Sequence, residues 1–413
     1  MSLQRLLDTA RQSLWFIPTL WAIGGTVAAF GLVAIDTATP DFAAQYPLVF
    51  GGGPEGARGL LSSIAGSMIT VAGVIFSITI VALQLASSQY SPRVLRNFMR
   101  DRPSQIVLGS YIGTFVYSLL VLRTIRSAQG GGTSFVPAIA VTGAIVLALV
   151  ALGMLVYYIH HIATRMQASH ITEDVARETI EEIEREAPDA APDAAPDGSM
   201  GAPEEEPRTV LVARRSGYLQ YVEIDELKRL AERYRIVIVV RSAPGDWVQQ
   251  YTPLFSIWGG EPSGELDDQL QGHITVGAER VLHQDPGFGV QQLVDIGVKA
   301  LSPGINDPTT VVNVIHHLTE VLVSAGRTRL PAADHADDEG NLRLVLPRTD
   351  FEELVATAFV EMIHFGASIP SITGALTTAF DSIEKAVPAH HRAPIERMRA
   401  MLRSSAAESV RTA

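Results

Sequence analysis

The chain lacks cysteine and is poor in charged residues. Its 413 residues include no cysteine, which excludes disulfide bonds, thiolate nucleophiles and cysteine-based metal sites. Only 18% of the residues are charged, whereas about a quarter is usual for a soluble protein. Basic residues are in deficit as well, since the formal net charge is −12. We therefore expect no nucleic acid partner, because binding of phosphates needs a concentrated basic face.

Apolar residues make up 47% of the chain, and they are concentrated before residue 160. Four apolar runs there approach or exceed the roughly 18 to 20 residues that cross about 30 Å of hydrocarbon as a helix. The runs cover residues 14–35, 60–88, 106–122 and 135–159. This pattern predicts an α-helical, multi-pass membrane protein with four transmembrane helices in a lipid bilayer.

The distribution of arginine predicts the orientation of the spans. Segment 91–102, which follows the second run, contains four arginines and one aspartate, and short basic loops favour the cytoplasmic side. An even number of spans returns the chain to its starting side. We therefore predict that the amino terminus and the soluble region after residue 160 are cytoplasmic. Arg123 and Arg126 would then lie on the outer side.

The second run contains a polar stripe without charge. Alternating steps of four and three residues stay on one side of a helix. The positions reached in this way are Ser63, Ser67, Thr70, Val74, Ser77, Val81, Gln84 and Ser88. Such a stripe lines a water-filled path, with Val74 and Val81 as constrictions, or it lets helices pack closely, together with Gly66 and Gly73. No run contains Asp, Glu, Lys or Arg, which argues against a proton-coupled pump.

The composition divides the chain into five parts. They are a transmembrane domain (1–163), a connecting helix (164–186), a disordered linker rich in proline, alanine and acids (187–207), a small β module (208–260) and a mainly helical soluble domain (261–413). Strands are predicted at 209–213, 236–240 and 252–258. Segment 243–254 resembles part of a barrel-sandwich module of the biotinyl or lipoyl type, but no lysine lies in a carrier hairpin. We therefore predict a structural role for this module within an α+β soluble region.

Residues 284–310 contain the most distinctive motif. The letters QDPGFG at 284–289 lead into one helix, and KALSPGINDPTT at 299–310 ends it and starts the next. Asp307 and Pro308 fit the N-cap and the first position of that second helix. Together with QLASSQYSPR at 84–93, this motif resembles a bacterial family of predicted membrane proteins that is known only as a domain of unknown function, DUF2254. The resemblance implies a bacterial inner-membrane location and brings no established chemistry.

The polar residues around this motif have two interpretations. These residues are Arg280, Gln284, Asp285, Asp295, Lys299, Asn306 and Asp307. In the first interpretation they form a ligand pocket, where Arg280 and Lys299 face an anion at a helix start, although Asp307 would compete for the same amide donors. In the second they form a structural corner, whose charges pair with each other or across a subunit interface.

The sequence contains no recognisable phosphate loop, nucleophile elbow or zinc-helix motif. We therefore expect no enzyme activity, no cofactor and no metal site. The preferred hypothesis is a homo-oligomeric channel for small ions or solutes, in which the second span lines the path and the soluble region serves assembly or gating. The alternative is a membrane-anchored scaffold or ligand sensor without transport activity.

Overall fold

The chain folds as two compact units, Met1–Gln167 and Ala168–Ala413. The structure is a computed structural model, and it describes residues 15–39, 50–89, 102–127, 135–165, 168–187, 201–260 and 264–412. The basic segment 91–101 and most of the predicted linker lie outside these ranges.

The first unit is built from four long helices. They are α1 (Phe16–Ala38), α2 (Pro54–Gln89), α3 (Arg102–Thr124) and α4 (Ala138–Arg165). Each is long and apolar enough to cross a membrane, so the four predicted transmembrane helices are confirmed. With 36 residues, α2 is about 54 Å long, well beyond the roughly 30 Å of the hydrocarbon core.

Helix α3 is the central helix of this unit and contacts α1, α2 and α4. Its two tyrosine rings are fully buried. The Tyr111 hydroxyl donates to the Ala151 carbonyl at 2.8 Å, and the Tyr117 hydroxyl donates to the Ala140 carbonyl at 2.7 Å. These bonds join α3 to α4 in a region where hydrocarbon offers no alternative hydrogen-bond partner.

A buried carboxylate lies within a candidate span, contrary to the prediction. Helix α1 continues past residue 35 to Ala38, and Asp36 in its last turn is buried. The Asp36 carboxylate accepts hydrogen bonds from the backbone amides of Ile139 and Ala140, both at 2.9 Å. It thereby satisfies two of the free amides at the start of α4, where a negative charge is favourable. The expectation of spans without charge is therefore wrong for this position.

Helices α1 and α3 touch backbone to backbone. A Cβ atom added to Gly25 would lie 2.5 Å from the Gly113 carbonyl oxygen, and one added to Gly113 would lie 2.8 Å from the Trp21 carbonyl oxygen. Such close approach requires a glycine at each of these two positions, and small residues are usual where membrane helices cross.

The second unit contains two open sheets. Its strands are β1 (Thr209–Val212), β2 (Gly217–Val222), β3 (Ile236–Val240), β4 (Trp247–Val248), β5 (Pro253–Gly259), β6 (Ile274–Gly277), β7 (Asp334–Ala336) and β8 (Leu342–Val345). One sheet has the order β1-β5-β3-β8-β7 and the other β4-β2-β6. The only parallel pair among these strands is β3 with β8. The α+β soluble region is confirmed, and the described strands form no closed barrel.

The described part of this unit also contains eight α-helices. They are α5 (Ala168–Glu186), α6 (Ile224–Tyr234), α7 (Gly264–Gly272), α8 (Pro286–Ala300), α9 (Pro308–Arg327), α10 (Phe351–Gly366), α11 (Pro370–Ala386) and α12 (Arg392–Thr412). One hydrophobic cluster joins α6 and α7 to both sheets. Helix α8 packs against α5, α9 and α10, and α9 packs against α5 and α11.

The predicted boundaries within the soluble region differ from those observed. Strands β6, β7 and β8 complete sheets that begin before residue 260, because Ile238 pairs with Leu344 across a long sequence separation. The predicted connecting helix is α5, which is part of the second unit's helical packing. Residues 188–200 of the predicted linker lie outside the described residues. Its last residues contact the domain: the Trp258 indole donates to the Glu205 carbonyl at 2.8 Å.

The α1–α3 crossing generates a prediction. We expect Gly25→Leu to lower the melting temperature of the purified protein by roughly 5 °C or more, because the new side chain must displace backbone atoms. The matched control is Gly24→Leu, since a Cβ at Gly24 meets nothing within 4 Å. The measurement is size-exclusion chromatography after heating in detergent. Equal losses in both variants would contradict the proposed crossing.

Candidate functional site

The polar stripe of α2 is exposed along the whole of its described length. We use "polar face" for the seven residues Ser63, Ser67, Thr70, Val74, Ser77, Val81 and Gln84, all of which are exposed in the single chain. The side chain of the eighth predicted residue, Ser88, lies outside the description. The Thr70 hydroxyl donates to the carbonyl of Gly66 at 2.8 Å, so its helix satisfies it. The exposure of these residues shows that the described helices do not pack against the polar face.

The packing side of α2 lies roughly opposite. The buried residues are Ala57, Leu61, Ala65, Met68, Ala72 and Ile75. At about 100° per residue, the centre of this set is roughly half a turn away from the polar face. Packing among the described helices therefore uses the apolar side of α2 and leaves the polar face uncovered.

Helix α3 contains polar side chains that are buried within the bundle. Ser110 and Thr114 are buried, and their hydroxyls donate to the carbonyls of Val107 and Ser110 at 2.8 and 2.7 Å. Such bonds to the preceding turn allow polar side chains to pack against other helices. Close packing of polar residues through such bonds is therefore found in α3, a helix for which the sequence analysis predicted no polar stripe.

The predicted cluster around 280–310 is divided between the two ends of α8. Arg280, Gln284 and Asp285 lie before its first residue, whereas Lys299, Asn306 and Asp307 lie near or beyond its last. Since α8 has 15 residues, its ends are about 22 Å apart. A single small pocket therefore cannot be lined by residues from both ends of α8.

Arg280 and Asp285 form a bidentate ion pair. The Arg280 Nε and Nη2 atoms lie 2.5 and 2.9 Å from the two carboxylate oxygens of Asp285. Asp285 is also the N-cap of α8, since it accepts from the Phe288 amide at 3.1 Å. Burial raises the pKa of Asp285, and the Arg280 guanidinium opposes that rise. A turn covers the pair, because a Cβ on Gly245 would lie 2.1 Å from the Asp285 Oδ2 atom.

Gln284 connects β2 with α5. Its side-chain amide accepts from the Val222 amide at 2.9 Å and donates to the Val222 carbonyl at 3.1 Å, as a neighbouring strand would. Its own backbone amide donates to buried Glu182 at 3.0 Å. Gln284 has a φ of +60°, a conformation that costs energy in a residue with a side chain. These contacts hold it there.

Asp307 caps α9, as the sequence predicts. Its carboxylate accepts from the amides of Thr309 and Thr310, each at 3.1 Å. The Thr310 hydroxyl bond lowers the pKa of Asp307 below its usual value. This carboxylate takes the amides that an anion at the start of α9 would need. At the same end of α8, Asp295 accepts from the Gln291 side chain at 2.9 Å.

Sequence reasoning missed five residues that complete the network before α8. Glu182 accepts from His283 Nδ1 at 3.0 Å and pairs with Arg185. Arg348 donates to Glu186 at 3.2 Å and to the Gln284 carbonyl at 3.3 Å. Burial raises the pKa of Glu186, and Arg348 opposes the rise. Neither α5 nor residue 348 is near 284 in sequence, so no local pattern marked them.

Comparison with known proteins fits this architecture. Residues 11–382 match the family described as "Predicted membrane protein (DUF2254)". The chain belongs to this family. Uncharacterised proteins of Mycobacterium bovis and Mycobacterium tuberculosis are each 33% identical to it over 385 residues, which cover 92% of this chain and 73% of each relative. No solved structure matches the chain.

The family match includes the polar face of α2 and the network before α8. The four spans, both sheets and the network before α8 lie within residues 11–382, whereas α12 lies beyond them. The family description and the four apolar helices together identify an integral membrane protein.

The turn over the Arg280–Asp285 pair generates a second prediction. We expect Gly245→Ala to destabilise the protein by about 1 kcal/mol through its positive φ and by another 1–3 kcal/mol or so through its clash with Asp285. Gly340→Ala is the matched control, because Gly340 has a similar φ of +84° but open space at its Cβ. Thermal unfolding of the full-length protein measures both. Similar decreases in the two variants would show that the clash adds nothing.

Proposed function

We propose that this protein is a homo-oligomeric conduit for small ions or solutes, lined by the polar face of α2 from each subunit. The observation that supports this most strongly is the direction of the polar face. It points away from the chain's own helices, although the middle of α2 lies in a candidate membrane span. A second copy of the chain would place the same face around a shared axis.

The exposed sides of α2 differ in a way that fits this arrangement. Ile69, Phe76 and Ile80 are exposed on one flank of the polar face, and Ile78 is exposed on the other. Glycines lie between the first flank and the polar face. Gly59, Gly66 and Gly73 are seven residues apart, and a Cβ on any of them would meet nothing within 4 Å. The first flank suits lipid, and the glycine edge allows a neighbouring helix to approach closely.

Val74 and Val81 are the candidate constrictions. Both are about half exposed, at 52% and 51%, and they interrupt the hydroxyl groups of the polar face. A ring of valines in a narrow conduit blocks ions by excluding water. The proposal assigns no catalytic step to the protein, and the soluble region serves assembly or gating.

The proposed location is the bacterial inner membrane, with the amino terminus and the second unit in the cytoplasm. The four arginines in segment 91–102 support this orientation, because positively charged short loops stay on the cytoplasmic side. The acidic net charge of the chain is compatible with a large cytoplasmic region.

The conduit predicts a specific effect on ion flux. We expect Ser77→Leu to reduce flux into proteoliposomes by roughly tenfold or more, because it adds an apolar ring to the path. Val81→Ser is expected to increase flux, since it makes a constriction wettable. Phe76→Leu is the matched control, because the neighbouring residue is exposed on the lipid flank. All samples are compared at equal particle size.

Either of two results would count against the conduit. One is an absence of flux for all monovalent and divalent ions tested, in wild type and in Val81→Ser. The other is equal flux in Ser77→Leu and Phe76→Leu. Both would favour the membrane-anchored scaffold, in which the spans only hold the soluble region at the membrane.

The orientation is tested with single thiols, since the chain has no cysteine of its own. Thr39→Cys and Ser382→Cys place one thiol at an exposed site in each unit. We expect a membrane-impermeant maleimide to label Thr39→Cys in intact spheroplasts and Ser382→Cys only after lysis. Labelling in the reverse pattern would place the second unit outside the cell.

A further inference from the structure

The second unit contains a cleft of about 560 Å³. It lies between the end of α5, β2, the residues before α8 and the segment around 329–348. Its lining includes three arginines and three aromatic side chains: Arg185, Arg329, Arg348, Tyr221, His283 and His335. Of the seven residues that the sequence marked as pocket candidates, Gln284 alone is in its lining.

The lining is cationic in a chain that is strongly acidic. It contains three arginines and a single carboxylate, Glu186, which leaves a formal charge of +2 with neutral histidines. Arg348 pairs with Glu186, and Arg185 pairs with Glu182 behind the lining. Counting Glu182 as well leaves +1. A cleft of this kind attracts an anion against the net charge of −12.

Two buried nitrogen atoms at the cleft have no hydrogen-bond partner within the described part of the chain. They are Arg348 Nε and His335 Nε2. The Arg348 side chain is only 8% exposed, and its bonds to Glu186 and Gln284 use Nη1. A buried polar group without a partner costs about 1–3 kcal/mol, more when it is charged. Such groups indicate a missing partner, and an oxygen of a bound anion would supply it.

The charges around His335 also favour an anionic ligand at the cleft. Burial lowers its pKa, and the nearby charges of Arg348 and Lys228 lower it further, against the opposite effects of Asp334 and Asp225. The ring is therefore neutral at pH 7 and has one N–H to donate. An anion bound beside it would offset the effect of Arg348 and provide the acceptor.

One wall of the cleft is aromatic. The rings of Tyr221 and His283 stack with their centroids 5.1 Å apart and an angle of 17° between planes. His283 is held in place by Glu182 at 3.0 Å. A flat pair of rings next to arginines suits a ligand that has a planar ring as well as an anionic group. The cleft volume lies in the usual range for small-ligand sites, about 300–1,000 Å³.

We propose that this cleft binds a small phosphorylated ligand of the nucleotide class, with phosphate oxygens at Arg329, His335 and Arg348 and a planar ring against Tyr221 and His283. Arginine suits phosphate because its planar guanidinium donates two parallel hydrogen bonds. The site is independent of the proposed conduit: it lies wholly in the second unit and needs no second copy.

The test is isothermal titration calorimetry on the full-length protein in detergent, with ATP, pyrophosphate and adenosine as probes. We expect ATP to bind more tightly than pyrophosphate and adenosine not to bind. Arg329→Gln and His335→Leu are expected to weaken ATP and pyrophosphate by roughly tenfold or more, the usual loss for a hydrogen bond to a charged group. Tyr221→Leu is expected to weaken ATP alone.

Arg343→Gln is the matched control. Arg343 pairs with Asp337 at 2.8 Å and is not in the lining of the cleft, so this variant is expected to bind ATP as the wild type does. Three results would overturn the proposal: no binding of ATP or pyrophosphate at millimolar concentration, equal weakening by Arg329→Gln and Arg343→Gln, or binding of adenosine without pyrophosphate. Equal affinity for ATP and pyrophosphate, unchanged in Tyr221→Leu, would overturn the assignment to nucleotides.

Discussion

The first unit depends on one constraint, which is that hydrocarbon offers no hydrogen bonds to polar groups. Within the bundle this constraint is met locally. Tyrosine hydroxyls of α3 bond to carbonyls of α4, the hydroxyls of Ser110 and Thr114 bond to their own helix, and Asp36 caps the start of α4. Among the described residues of the bundle, the buried Ser118 hydroxyl is the exception, since it has no hydrogen-bond partner. The polar face of α2 is the part of the described bundle where the chain provides no cover. The proposed conduit follows from this difference between α2 and α3, since a shared water-filled axis is an environment in which such a face is stable.

The second unit meets a related constraint with charges. Glu182 and Asp285 are both almost fully buried, and a buried carboxylate is tolerable only with a cationic or hydrogen-bonding partner. Arg185, His283 and Arg280 provide such partners, and Gln284 adopts a left-handed conformation to join β2 to α5. The same network positions the cleft, because His283 and Gln284 belong to both. An anionic ligand there would bind to side chains that already have structural partners, and this links its occupancy to the packing of α5.

The sequence was sufficient for features that depend on local pattern. The four spans follow from uninterrupted apolar runs, three strands follow from β-branched runs, and the Asp307 cap follows from the Asp-Pro pair that begins α9. Features that depend on distant residues were not accessible in this way. The pairing of β3 with β8 and the bonds of Glu182 to residues 283 and 284 join residues more than a hundred positions apart. Arg348 lies 64 positions after Gln284, to whose carbonyl it donates. The sequence could not show whether the polar face is exposed, because a stripe of serines has the same spacing when it packs against a helix and when it lines a water-filled axis.

The central claim is that the polar face of α2 meets the same face of another subunit. Because the chain has no cysteine, a single Ser77→Cys variant tests this directly in native membranes, with Phe76→Cys as its neighbour on the lipid flank. Treatment with a short bis-maleimide followed by denaturing electrophoresis is the measurement. The account predicts covalent dimers for Ser77→Cys and monomers for Phe76→Cys. Monomers in both variants, at matched labelling by a monofunctional maleimide, would contradict it.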